Sequence, residues 1–388
     1  MVRHQPLASV GSLPQQETLV LEDMQIGILR CATDPLVAVV PDVGKKLIHQ
    51  GYSLVLESGA GAASLFDDEA YTAIGAKVAD REEVLQSSDI LVTVSKLLPA
   101  DLEKAKSQTI LIGQFNVRVQ PQWADQLTQS SLRVFSLDKL PRTSVAQSMD
   151  VLSALSSLAG YKAVVSAAER FPAYFPMMTT AAGTIPPAKV LILGAGVAGL
   201  QAIATARRLG AVVEAFDVRS AVKEEVQSLG ASFVEVEGSS EDAEAGGYAV
   251  VQSDAYQQKQ KELIHDRALR ADVVICTAQI PGREAPKLLE ARTVQQMKPG
   301  SVIIDMAAST GGNCELTQND KEITINNVTI VGNSKLHNRL PMAASRLFAN
   351  NLFNFIKFMM KDDEPRFDHE IVSATFLGEL PTATDQAS

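Results

Sequence analysis

Residues 189–219 read KVLILGAGVAGLQAIATARRLGAVVEAFDVR. KVLIL has the length and apolar character of a buried strand, and VVEAF is a second such run. Between them Gly194, Gly196 and Gly199 form the pattern G-x-G-x-x-G. The bare pattern is weak, but its context is specific. It follows a strand, opens a helix, and is answered by Asp217 at the end of the next strand, 18 residues after Gly199. Gly194 permits the tight turn, Gly196 lets backbone approach a pyrophosphate, and Gly199 allows close helix–sheet contact. The helix start then offers N–H groups and a positive dipole end to phosphates. The stretch therefore predicts a dinucleotide site lined by Gly194, Gly196, Val197, Ala198 and Gly199, with Asp217, Val218 and Arg219 at its ribose end. A carboxylate at 217 can accept a hydrogen bond from the 2′-OH of NAD. Against the 2′-phosphate of NADP it repels, since like charges about 4 Å apart cost roughly 4 kcal/mol at an effective dielectric near 20. Arg219 softens that repulsion, and NAD(H) is the expected cofactor.

Outward from this stretch the same alternation repeats. A second block from 189 to about 332 carries six strands, KVLIL, VVEAF, SFVEV, DVVICT, SVIID and VTIVG. Before it, from 24 to about 140, the apolar runs IGIL, SLVLE, DILVTV, TILIG and RVFSL alternate with the helical patterns VGKKLIHQG, EEVLQSS, ADLEKAKSQ and QWADQLTQS. Two long helical patterns, 144–167 and 344–360, bracket the second block. The first has an apolar stripe of Val145, Met149, Leu152, Leu155, Ala159 and Ala163, with Gly160 weakening it. The expected fold is α/β, with two doubly wound parallel-sheet (Rossmann-like) domains, a cleft between them, and the two long helices joining them. Residues 1–143 and 341–388 would form the N-terminal domain, the tail HEIVSATFLGEL packing on it, and 144–340 the nucleotide-binding domain.

Site residues should lie outside the carboxyl ends of the strands. TAQIPGR (277–283) and MAASTGGN (306–313) follow strands, so Thr277, Ala278 and Gln279 are candidates to touch adenosine or ribose; plain turns would account for them equally. Residues 238–258 form a long polar insertion containing Gly246, Gly247 and Tyr248, read as an active-site loop or a mere insertion. A third candidate is PRTSVAQSMDVLS (141–153). At helical spacing Gln147, Asp150, Ser153 and Ser157 make one polar stripe, facing either solvent or a cleft. Ser144 and Gln147 also fit the capping box S-x-x-Q, which explains them with no function at all.

The 388 residues allow two cores. A net charge of −10 with no block of Lys and Arg excludes nucleic acid and anionic lipid as expected partners. Cys31, Cys276 and Cys314 are far apart without CxxC spacing, so neither a disulfide framework nor a metal site is expected. The polar N-terminus is not a secretory signal, and no uninterrupted run of the length needed to span a membrane is seen.

The segments RTSVAQSMDVLSALSSLAGY, FPMMTTAAGTIPPAKVLILGAGVAGLQAIATARRLGA, AGGYA and MKPGSVIID…GGNCELT carry a resemblance over about residues 24–375. They resemble the alanine dehydrogenase/transhydrogenase family, and within it the soluble NAD(H)-binding part of the alpha subunits of proton-translocating NAD(P) transhydrogenases. The resemblance implies that Arg142, Asp150 and Ser153 hold the nicotinamide, its carboxamide or nearby ribose. It implies that Gln147 reaches toward incoming NADP(H), that Thr143, Ser144, Ser148 and Met149 belong to the same cofactor-binding segment, and that Tyr248 beside Gly247 closes over bound NAD(H). Arg142, Gln147 and Asp150 would be the catalytic set. NADP(H) and the proton path would lie on partner membrane-spanning and NADP(H)-binding subunits, with this chain peripheral on the cytoplasmic side of a bacterial-type membrane as a homodimer.

The sequence also departs from alanine dehydrogenases. Leu36 stands where their substrate Arg would be, LIGQFNVRV has no counterpart of their active-site His, and Ser309 replaces a carboxylate; Lys96 survives. Oxidising an amino acid needs a base for the amine and a cation for the carboxylate. Passing hydride between two nicotinamides needs only positioning and exclusion of water. An alanine-dehydrogenase-like oxidoreductase and a non-catalytic NAD-sensing module are the alternatives.

Overall fold

The computed structural model describes residues 24–236, 254–280, 282–361 and 364–378. The chain opens with β1 (Gln25–Ile28), α1 (Pro41–His49), β2 (Ser53–Glu57), α2 (Asp68–Thr72), β3 (Lys77–Ala79), α3 (Arg81–Ser87), β4 (Ile90–Val92), α4 (Pro99–Lys104), β5 (Ile110–Gly113), α5 (Pro121–Gln129) and β6 (Arg133–Ser136). The strands are runs of Ile, Leu and Val because helices cover both faces of the sheet. The helices begin where the sequence supplies a start. Pro opens α1, α4 and α5. Asp67 and Asp80 accept the N–H groups of Ala70 and Glu83 at 2.9 and 2.8 Å.

After α6 (Val151–Arg170) and a hairpin of β7 (Met178–Thr180) and β8 (Gly183–Ile185) comes the second block. It comprises β9 (Lys189–Leu193), α7 (Val197–Arg208), β10 (Val212–Phe216), α8 (Lys223–Ser228), β11 (Ser232–Val234), α9 (Asp254–Ala268), β12 (Val273–Cys276), α10 (Ala291–Gln296), β13 (Val302–Asp305), β14 (Lys321–Ile325) and β15 (Val328–Gly332). All six expected strands are present. Side chains alternate between the faces: Val190 and Ile192 enter one core, Leu191 and Leu193 the other. The chain then returns through α11 (Pro341–Met359), a short pair β16 (Met360–Lys361) and β17 (Glu364–Pro365), α12 (Glu370–Thr375) and β18 (Phe376–Leu377).

The first sheet has the order β18-β6-β5-β4-β1-β2-β3 and the second β11-β10-β9-β12-β13-β15-β14. Each reverses direction beside its first strand, the doubly wound arrangement. Both sheets are parallel as expected apart from one edge strand each: β18 runs antiparallel to β6 and β14 antiparallel to β15. The tail does pack on the first sheet, through α12 and β18.

The long helix expected from residue 144 begins at Val151 instead. Ala146–Met149 form a separate 3-10 turn, and Asp150, at ψ 92°, separates the two. The Asp150 carboxylate accepts the Ser153 N–H at 3.0 Å and so caps α6, which leaves no cap for Ser144 and Gln147 to make. The stripe shifts accordingly: Val145 and Leu152 are 56% and 40% exposed, and Val151, Leu155, Ala159 and Ala163 are buried. Val151 and Leu155 join the core of the first sheet, whereas Ala159, Ala163, Val164 and Ala167 join that of the second. By length and composition α6 passes the test for a membrane span, at mean hydropathy 1.3, but one face of it, Val151, Leu155, Ala159, Ala163, Val164 and Ala167, is buried in these two cores. The α11 side chains Phe348, Leu352, Phe355 and Ile356 all enter the first core, each burial contributing about 1.5–3 kcal/mol.

Candidate functional site at the carboxyl edge of the second sheet

The second sheet reverses between β9 and β12, and the turn after β9 is the glycine motif. Gly194 has φ +100°, the left-handed region that a residue with a Cβ adopts at a cost. A Cβ at Gly199 would fall 1.9 Å from Gly194 O, so the helix is packed against the turn itself. A Cβ at Gly196 would meet nothing within 4 Å. That is open space above the α7 N-terminus, in the place a pyrophosphate would take. Thr277, at the end of β12, donates its hydroxyl to Gly194 O at 2.8 Å and ties the two strand ends together. Its hydroxyl is thus committed to the turn. Ala278 donates its N–H to Asn313 Oδ1 at 3.0 Å, and Asn313 Nδ2 donates to Ala278 O at 2.8 Å. Gln279 donates to Met306 O at 3.0 Å. Asn313 is fully buried and fixes this loop, although nothing in the run MAASTGGN marks it out as a support.

Asp217 closes the far side, with its side chain 7% exposed. Oδ2 accepts the Ala195 N–H at 2.7 Å and Arg219 Nη2 at 2.9 Å; Oδ1 accepts the Arg219 N–H and Nε, both at 2.9 Å. Four donors fill the lone pairs of the carboxylate. The pairing raises the Arg219 pKa, through its hydrogen bonds to Asp217 first. Val218 follows Asp217 and packs against the core on the α9 face. Gly247 and Tyr248 lie outside the described residues.

The segment 141–153 stands beyond the same edge. A Cβ at Gly160 would sit 2.1 Å from Ala198 O, so α6 meets α7 at the level of the glycine turn. Past α6, Pro172 and Pro176 pack on Gly300 and Gly210, which precede β13 and β10 at the opposite edge. The helix therefore descends along the sheet from Gly160, and its first turns project above. Asp150 lies about 15 Å beyond Gly160 at 1.5 Å per residue. Arg142, Thr143, Ser144, Gln147 and Ser148 are exposed here, Met149 is buried, and Asp150 and Ser153 are half-buried. Thr143 Oγ1 accepts the Ala146 N–H at 3.3 Å. Ser153 donates its hydroxyl to Asp150 Oδ2 at 2.5 Å. Ser148 O accepts the side-chain amides of Asn351 and Asn354 at 2.8 and 3.0 Å, so α11 holds the 3-10 turn in place. Those two asparagines are not visible as site supports in the sequence. Lys96 lies over the Trp123 ring, 4.5 Å from its centroid, and Ser309 donates its N–H to Ser334 Oγ at 2.9 Å.

Two family models match the chain, "Alanine dehydrogenase/PNT, N-terminal domain" over residues 32–159 and "Alanine dehydrogenase/PNT, C-terminal domain" over 163–377. The NAD(P) transhydrogenase subunit alpha of Haemophilus influenzae is 39% identical over 377 residues, spanning 94% of this chain and 73% of that protein. A Rhodospirillum rubrum protein named as the first part of an NAD(P) transhydrogenase subunit alpha is 42% identical over 351 residues, spanning 87% and 91%. Among solved structures, a transhydrogenase from Sinorhizobium meliloti matches with TM-score 0.84 at 38% identity, over 92% of this chain and 98% of that one. An L-alanine dehydrogenase matches with TM-score 0.74 at 23% identity, over 91% and 94%, a likeness of fold. The chain belongs to the alanine dehydrogenase/PNT family, among the alpha subunits of NAD(P) transhydrogenases, which are oxidoreductases of more than one subunit.

Proposed function

We propose that this chain binds NAD(H) along the carboxyl edge of its second sheet and exchanges hydride directly with NADP(H) held on a partner subunit. In the whole enzyme that exchange is coupled to proton movement through membrane-spanning subunits, and this chain works as a homodimer on the cytoplasmic face. The observation that carries the reading is the glycine turn: Gly194 and Gly199 have no room for a side chain, and Gly196 opens onto free space above a helix N-terminus. Bound nicotinamide supplies the hydride chemistry. The chain supplies position. Val197, Ala198 and the α7 N–H groups hold the pyrophosphate. Asp217 takes the adenosine ribose once Arg219 gives up its share of the carboxylate, and Thr277, Ala278 and Gln279 border the adenosine. Arg142, Asp150 and Ser153 orient the nicotinamide end, with Thr143, Ser144, Ser148 and Met149 forming the backbone of that grip. Exposed Gln147 projects toward the second nicotinamide.

The test uses the purified chain with NADH and an NADP(H)-binding partner subunit. Hydride passing to an NADP analogue is the expected result. If NADH is instead oxidised by pyruvate plus ammonia with no transfer to the analogue, the alanine-dehydrogenase reading replaces this one. NADH binding with neither activity leaves a sensing module.

A further inference from the structure

The first sheet has a switch point of its own. Its order reverses between β1 and β4, and the crevice outside those strand ends is where a doubly wound sheet ordinarily receives a ligand. In this chain that crevice holds Asp34, whose side chain is 5% exposed. Oδ2 accepts Ser95 Oγ at 2.8 Å and Thr33 Oγ1 at 3.1 Å, from the loops after β4 and β1. Oδ1 accepts Lys335 Nζ at 2.9 Å and Asn338 Nδ2 at 2.8 Å, from the corner between β15 and α11. That corner is pinned to the second sheet. Asn333 donates its N–H to Asp305 O at 3.0 Å, and Ser334 Oγ accepts from Ser309. Its 3-10 turn, Leu336–Arg339, packs on α6. One carboxylate thus grips both sheets and the helix that carries Asp150 and Ser153.

A stability role alone explains this poorly. Only the carboxylate is buried: the Lys335 side chain stays about half exposed, so the pair itself adds little to stability while Asp34 bears the cost of desolvation. Here the contact also leaves Asn338 Oδ1 buried without a hydrogen-bond partner among the described residues, a further cost. What the arrangement does supply is a fixed geometry between two sheets that would otherwise hinge.

We propose that Asp34 is a positioning residue for hydride exchange: it locks the β15–α11 corner into the first sheet's switch point and thereby sets where the 142–153 segment stands over the glycine turn. The inference rests on NAD(H) binding to the second sheet. It separates two quantities. Groups on the second sheet supply most of the NADH affinity, whereas the separation of the two nicotinamides depends on how the sheets are locked. A misplacement of about 1 Å can cost on the order of a hundredfold in rate.

The chain has a single tryptophan, Trp123, on α5 of the first unit. Energy transfer from Trp123 to NADH bound on the second sheet reads the separation of the two units directly. The full chain, Asp34→Asn and Lys335→Met are compared for NADH affinity, for this transfer, for melting temperature, and for hydride exchange with the partner subunit. Both variants should bind NADH within about twofold of the parent, show reduced transfer, and exchange hydride about tenfold more slowly. The double variant should be no slower than the slower single one. Lys335→Met leaves Asp34 its other donors, so it decides the matter if Asp34→Asn folds poorly. A lower melting temperature with unchanged transfer and rate would overturn the positioning role. Failure of the parent chain itself to bind NADH would overturn the cofactor reading, and this inference with it.

Discussion

At the residue scale, Gln147 and Asp217 decide what the site does. Because Asp150 makes the α6 cap, the Gln147 side chain is not committed to it. Gln147→Ala should therefore slow hydride exchange by an order of magnitude or more while leaving NADH affinity and melting temperature nearly unchanged. Stopped-flow transfer and a thermal melt check both halves. A melting temperature that falls with the rate would return Gln147 to a structural role. Asp150→Ala should lower both readouts, losing about 1 kcal/mol of stability with the cap and slowing exchange with its hold on the nicotinamide end. Asp217 presents a different case, since its carboxylate is already full of protein donors. Asp217→Asn removes the charge that repels a 2′-phosphate and frees the Arg219 guanidinium to meet one. The ratio of NADP(H) to NAD(H) binding, measured by titration, should rise; an unchanged ratio would sink the ribose assignment.

At the element scale, what is legible in the sequence is what is local. The six strands of the second block and five of the first are readable because buried parallel strands are unbroken apolar runs. The glycine turn is readable because every part of it lies within one β-α-β unit. β14 is not, since KEITI alternates with polar residues at an edge and its pairing partner defines it. β18 is two residues long and exists only through β6, some 240 residues earlier. The start of α6 is hidden for a related reason. Ser144 and Asp150 both have the chemistry of a cap, and the choice is made by Asn351 and Asn354, which hold Ser148 from about 200 residues away. In the sequence Gly160 is a mere weakness in the helix; the structure makes it the contact at which α6 and α7 touch. Gly160→Ala gains up to about 1 kcal/mol of helix propensity but forces a Cβ to within 2.1 Å of the Ala198 carbonyl oxygen, and overpacking of this kind costs about 1–3 kcal/mol. The variant should be less stable in urea. Because the displaced carbonyl belongs to the start of α7, NADH affinity should weaken as well. Greater stability with unchanged binding would show that the helices can separate freely at this point.

At the scale of the whole molecule, the lock between the sheets contains two groups whose pKa is shifted. His337 sits in the 3-10 turn of the β15–α11 corner, and its pKa is lowered from 6.5 to about 4, by burial first, with the nearby Lys335 charge adding to the shift and Asp34 opposing it. Burial alone would raise Asp34, but hydrogen bonds from Asn338, Lys335 and Ser95, with the Lys335 charge, bring it from 3.8 down to about 2. The signs follow from proton uptake. Between pH 6.5 and 4 the unfolded chain protonates this His while the folded chain holds it neutral, so acidification favours unfolding across that window. Asp34 contributes stability above pH 3.8 that is lost as pH falls toward 2. The corner should therefore weaken in two steps, the first belonging to His337. His337→Asn removes the first titration and leaves the second. Melting curves of parent and variant should be furthest apart, and parallel, above pH 6.5, where the parent keeps the full benefit of a neutral, packed imidazole, and should converge as pH falls from 6.5 to 4. Parallel curves across that range would assign the acid sensitivity to groups outside the corner, and would leave Asp34 holding a corner whose strength does not depend on the charge of its His337.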